Sequence, residues 1–311
     1  MTIMNKNGSL LGVLLTIASA AGFGVMGIIA KLAYAQGVTV GTLLAYRFAI
    51  AAALFWAWIA LSRRAAAPLR WRERIALWIM GTLGYAVMAS LMFTSFSLMS
   101  ASLAEMLFYS YPTLVCLLMW AVDKEPLTGR KAEALIGGFA GLLLVLQSPA
   151  GLVTASGIAC ALAAAAVYAV FITYSNRLVK HVSPLVSSAH ISSSAAVALA
   201  VYAALQGDLH VVRGAPAWGA ILGVAVLSTF VAILFFFEGV KRIGSTRASM
   251  LSTMEPVVTL ACSAALFHER LRPLQWLGIA VVLLSLMAME VRGTIRRASR
   301  KVRGTVKESA I

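Results

Sequence analysis

Charge is what this chain of 311 residues has least of: Asp, Glu, Lys and Arg together make up 12% of it, while apolar residues make up 61%. Soluble domains carry about 25% charged and about 45–50% apolar residues, so a water-soluble fold is excluded and a polytopic membrane protein is expected. Cysteine is scarce too. Cys116, Cys160 and Cys262 are odd in number, sit inside apolar runs and lack metal-ligand spacing, so a disulfide framework and a metal site are both unsupported. They read as buried core thiols. Also missing are HExxH, a Walker A loop and any Ser–His–Asp grouping, so catalysis is unsupported, the chain reads as a non-enzyme, and no cofactor is expected. Gly22-Phe-Gly24-Val-Met-Gly27 matches GxGxxG, but that fingerprint works only between a strand and a helix, and here it lies within an apolar run. A small-residue face for close helix packing is the reading.

What is present is a succession of apolar segments. At about 1.5 Å rise per residue a membrane-spanning helix needs about 20 of them. Ten can be marked, near 9–35, 40–62, 75–97, 100–122, 131–148, 155–178, 184–206, 216–239, 246–267 and 273–291. Ala18-Ser19-Ala20 resembles a signal-cleavage site, but the apolar run continues to Ala35, the length of a retained span. Basic residues set the expected orientation. With ten spans and the N-terminus inside, all of the 26 Lys and Arg except Lys31, Arg47, Arg213, Arg270 and Arg272 fall on the cytoplasmic side. The net charge of +15 is therefore topological, with the basic tail at 292–311 facing anionic lipid and not nucleic acid.

Two stretches repeat. SASLAEMLFYSYP, an apolar run and KEPL are followed by TRASMLSTMEP, an apolar run and HERL, with Pro112 against Pro256 and Glu125 against Glu269 at one offset of about 144 residues. Residues 1–148 and 149–291 are thus expected to be two five-helix repeats. Five is odd, so one repeat should be inverted relative to the other, the layout of many alternating-access carriers.

Ionisable residues inside spans are costly and are candidate sites for that reason. Lys31 lies near the outer end of the first span, with Arg47 and Glu105 at comparable depth in the second and fourth. They read as an ion-pair cluster or outer gate. Glu255 precedes Pro256, and Pro112 follows Tyr111; each proline breaks its helix and frees the carbonyl four residues earlier, Ser252 or Phe108. Tyr85 and Met88 in the third span, Tyr109 in the fourth and Tyr168 in the sixth form aromatic and thioether stripes, with polar tips that need partners in hydrocarbon. His190 and Ser194 belong to a polar face of the seventh span expected to point inward. A helix-packing role remains the alternative for each of these residues.

The YP and EP segments with their downstream E-L pairs, the Arg47-Phe-x-x-Ala pattern and the five-plus-five layout resemble the drug/metabolite transporter superfamily, specifically its EamA-type members, over about residues 9 to 291. That resemblance implies an all-α bundle of ten transmembrane helices, N-in and C-in, with a central cavity lined by spans one to four and six to nine. It implies export of small metabolites across the bacterial inner membrane, with amino acids, aromatic ones included, as the expected cargo. Multidrug export and a non-transporting sensor or scaffold are the alternatives. Tyr85, Met88, Tyr109, Tyr111, Tyr168, His190, Ser194 and Glu255 are the expected substrate contacts. The expected partners are the solute and membrane lipid, in a monomer or weak homodimer. Tyr111 stands where the second repeat has Glu255, so an acidic role is not symmetric.

Overall fold

The structure is a computed structural model that describes residues 6–62, 69–124, 129–146, 154–178, 182–243, 248, 251–252, 254–267, 272–274 and 276–285. Among these residues the protein is all helical. We label the segments α1 (Leu10–Ala35), α2 (Val40–Leu61), α3 (Trp71–Leu98), α4 (Ala101–Val122), α5 (Gly129–Leu146), α6 (Ala155–Tyr174), α7 (Pro184–Leu205), α8 (Ala215–Ile243), α9 (Glu255–Phe267) and α10 (Trp276–Ser285). Seven of them, α1 to α4 and α6 to α8, are long and apolar enough to cross a membrane. The helix α5 begins with Arg130, Lys131 and Glu133, and α9 and α10 are shorter within the described residues. Glu125, Glu269 and the tail 292–311 lie outside the described residues.

Helix ends follow local chemistry. The third span starts at Trp71, ahead of the expected 75, because the Glu73 carboxylate accepts the Arg70 N–H at 2.9 Å, a capping interaction that satisfies a free donor. Gly37 and Gly207 end α1 and α7 with φ of 76° and 67°, a left-handed turn that glycine makes without steric cost.

The packing exchanges partners between the halves. In one direction α3 packs on α6 and α4 on α6; in the other α8 packs on α1 and α9 on α1. Between them α2 packs on α7. These two run antiparallel: the start of α2 is tied to the end of α7 by Gly41 N–H to Asp208 Oδ2 at 2.9 Å and Thr42 Oγ1 to the Asp208 carbonyl at 2.6 Å. Further along α2, Trp56 Nε1 reaches back to Ser193 Oγ at 3.0 Å. The α1–α2 turn and the α7–α8 connection therefore share one end of the bundle.

Small residues allow the close approaches. A Cβ on Gly24 would lie 2.7 Å from the Glu255 carbonyl, and one on Gly27 would lie 2.8 Å from the Phe96 ring. The glycines of the GxGxxG match are thus packing positions, as expected from their place in an apolar helix. Both α3 and α8 contain a π-helical stretch, Met80–Ala86 and Gly223–Val231, at closely matching places in the two halves. Such widened turns shift side chains around the helix and are frequent at functional sites.

Candidate functional site

Both proline-marked helices are discontinuous. In α4 a turn at Tyr109 and Ser110 separates Ala101–Phe108 from Tyr111–Asp123, and Pro112 occupies the first turn of the second piece. In α9 the helix begins at Glu255, with Pro256 likewise in the first turn. Proline tolerates that position because it has no N–H to leave unsatisfied there. The Ser252 carbonyl, which Pro256 cannot serve, lies 3.4 Å from the Tyr109 hydroxyl, and that hydroxyl donates to Glu255 Oε2 at 2.9 Å. The broken ends of α4 and α9 therefore face each other.

Between them opens a cavity of about 110 Å³, room for several waters or a small polar head group. The side chains that give it polarity are Arg47, Glu105 and Glu255; tyrosines 85, 109, 111 and 168 supply most of its aromatic surface. Met88 is also in its wall. The aromatic rings form a continuous surface. Phe48 meets Tyr85 at 5.7 Å between centroids, Tyr85 meets Phe171 at 5.5 Å, Phe171 stacks on Tyr168 at 5.8 Å, and Tyr168 meets Tyr111 at 4.9 Å. Edge-to-face and offset contacts at these spacings are the favourable ones, so each ring of the wall is packed against the next.

The charged groups pair differently from the sequence expectation. Glu105, 2% exposed, is in hydrogen-bonding contact with Glu255 and not with Arg47. An ionised carboxylate only accepts, so a carboxyl–carboxyl hydrogen bond requires one proton held between the two. Arg47, also 2% exposed, gives its Nε–H to Thr229 Oγ1 at 2.9 Å. That threonine in turn bonds the Val224 carbonyl within the π stretch of α8 at 2.8 Å. The guanidinium rests against the rings of Phe48 and Phe93, at 4.9 and 4.8 Å. Among the described residues no ion pair joins Arg47 to either carboxylate, so the expected Arg47–Glu105 clamp does not form. Depth alone suggested that pairing; rotation about the helix axes sets another.

Three more expected residues lie away from the cavity. His190 meets Trp56 edge to face at 5.1 Å, and Ser194 Oγ donates to the Ile191 carbonyl of its own helix while packing against Gly81. The polar face of α7 is thus absorbed by helix packing against α2 and α3, where a small residue and an indole N–H meet its hydroxyls. Lys31 sits at the end of α1 with its Nζ 6.0 Å from the Phe267 ring. Conversely Met26, Ala89 and Phe93 line the cavity without having stood out in the sequence. Apolar residues in an apolar span carry no signal that distinguishes a cavity wall from a lipid face.

Discontinuous helices meeting around a polar cavity are a recurrent feature of polytopic membrane transporters. Residues 10–147 and again 155–290 match the EamA-like transporter family, and the chain belongs to that family as a multi-pass membrane transporter. An uncharacterized transporter of Bacillus subtilis (strain 168), YcbK, is 28% identical over 273 residues, covering 84% of this chain and 87% of that protein. An uncharacterized transporter of Archaeoglobus fulgidus is 24% identical, over 77% of this chain and 84% of its own. A solved crystal structure shares the fold with a TM-score of 0.67 at 18% identity, over 92% of this chain and 98% of that one.

Proposed function

We propose that the protein exports a small amphipathic metabolite, an amino acid with an apolar or aromatic side chain, across the bacterial inner membrane by alternating access. The observation that carries this reading is the cavity where the broken ends of α4 and α9 meet, with Arg47, Glu105 and Glu255 among aromatic rings. Buried ionisable groups are costly inside a membrane, and a solute path is the usual reason for keeping them. The antiparallel α2 and α7 and the exchange of packing partners between the halves support an inverted repeat. Ten spans with both termini cytoplasmic complete the reading and agree with the distribution of basic residues. Rocking of one half against the other would expose the cavity to each side in turn. The test is solute counterflow in proteoliposomes holding the full chain, screened over amino acids. Accumulation of labelled solute above protein-free vesicles is expected; none for any amino acid overturns the proposal.

A further inference from the structure

Resting on the transport reading above, we propose that Arg47 and the Glu105–Glu255 pair form a two-ended clamp for a zwitterionic solute: Arg47 takes its anionic group and the carboxyl pair its protonated amine.

Arg47 carries the first half of the argument. Its Nε is committed to Thr229, and the rings of Phe48 and Phe93 hold its plane. Among the described residues neither terminal nitrogen has a protein partner, yet the residue is almost completely buried and borders the cavity. A guanidinium presents a planar fork matched to a carboxylate, and one with only Nε satisfied turns its remaining donors to whatever enters. Anchoring by Thr229, itself fixed to the α8 backbone, sets the fork's direction before binding.

The carboxyl pair carries the second half. Glu105 comes from α4 and Glu255 from the start of α9, and Tyr109 holds Glu255 through its hydroxyl at 2.9 Å. Tyr109, Tyr111, Tyr85 and Tyr168 are the other titratable groups around this end, and Arg47 is the cation of the same cavity. With one proton shared, the pair holds a single negative charge and Arg47 a single positive one. The empty site is then neutral, and a zwitterion leaves it neutral. A solute with one charge would add an unbalanced charge to a low-dielectric interior, which is strongly disfavoured. The aromatic wall running between the two ends accepts the apolar body.

The experiment uses the purified full-length protein and two matched ligand series: phenylalanine with 2-phenylethylamine and 3-phenylpropanoate, and leucine with 3-methylbutylamine and 4-methylpentanoate. Calorimetric binding is expected to favour each zwitterion over both single-charge analogues by about tenfold or more, the usual effect of a lost charge-assisted contact. Arg47→Gln should erase the advantage over the amine alone, and the double variant Glu105→Gln with Glu255→Gln should erase the advantage over the acid alone. Because the ligand series works on the unaltered protein, it decides even where a variant fails to fold. Equal binding of zwitterions and single-charge analogues overturns the clamp, and so does an Arg47→Gln protein that loses all three ligands in proportion. Retained zwitterion preference with no flux in proteoliposomes supports the clamp and overturns transport. Flux that ignores the charged ends does the reverse.

Discussion

Replacing Gly24 by Ala inserts a methyl where α1 passes close to the backbone of α9 beside Glu255. The added carbon would lie 2.7 Å from the Glu255 carbonyl oxygen and 2.9 Å from Val258 Cβ. Ordinary contact is about 3.5–4.0 Å, so the helices must part by about 0.7–1 Å. Overpacking of this kind costs about 1–3 kcal/mol, and alanine returns up to about 1 kcal/mol through better helix propensity. The Thr259 hydroxyl, bonded to the Gly24 carbonyl at 2.7 Å, is strained by the same displacement. Losing that bond adds about 1 kcal/mol, so a net loss of about 1–3 kcal/mol is expected. The shift also pulls Glu255 away from Tyr109 and Glu105, and a displacement approaching 1 Å breaks a hydrogen bond of 2.9 Å. Flux per folded molecule should therefore fall more than stability does. Gly219→Ala is the control, since no atom lies within 4 Å of its added carbon; it should be neutral or stabilising by up to about 1 kcal/mol. Thermal unfolding in detergent and counterflow in proteoliposomes measure the two quantities. A Gly24→Ala protein as stable as Gly219→Ala and carrying solute at the unaltered rate would refute the close-packing argument.

Reporter fusions after residue 66 and at the C-terminus should read cytoplasmic, and fusions near residues 37, 150 and 210 external; a cytoplasmic signal at 210 breaks the five-plus-five arrangement. Residues near 37 and 210 should agree with each other in any case, because Asp208 is bonded to Thr39 and Gly41 across the same end. Glu255→Gln removes one of two carboxyls whose contact needs a shared proton, so the pH dependence of flux should change at normal protein levels; an identical profile assigns Glu255 to packing. Tyr85→Ala, Tyr109→Ala and Tyr168→Ala should each remove about 1–3 kcal/mol of contact for a large aromatic solute. The flux ratio of phenylalanine to alanine in the same preparation reports this, and a constant ratio across all three variants dismisses aromatic selectivity.

Much was decided by the sequence alone because hydropathy is a property of the chain and not of its fold. With 12% charged residues and apolar runs of bilayer length, no water-soluble arrangement could hide the surface. The spacing of Pro112 and Pro256 likewise located both helix breaks, since proline disrupts a helix wherever it sits past the first turn. The carbonyl of Ser252 was identifiable as freed on the same grounds, although only the fold supplied the Tyr109 hydroxyl that approaches it. Sequence gives depth in the membrane but not rotation about a helix axis. Arg47 and Glu105 were assigned to one depth, yet Arg47 turns to Thr229 of α8 while Glu105 turns to Glu255 of α9. The π stretches in α3 and α8 alter that rotation further, because a wider turn offsets every side chain beyond it. His190 and Ser194 show the same limit: a polar stripe at helical spacing must be accommodated, and only the tertiary structure decided that His190 meets Trp56 of α2 and that Ser194 bonds the Ile191 carbonyl of its own helix against Gly81 of α3, away from the solute cavity.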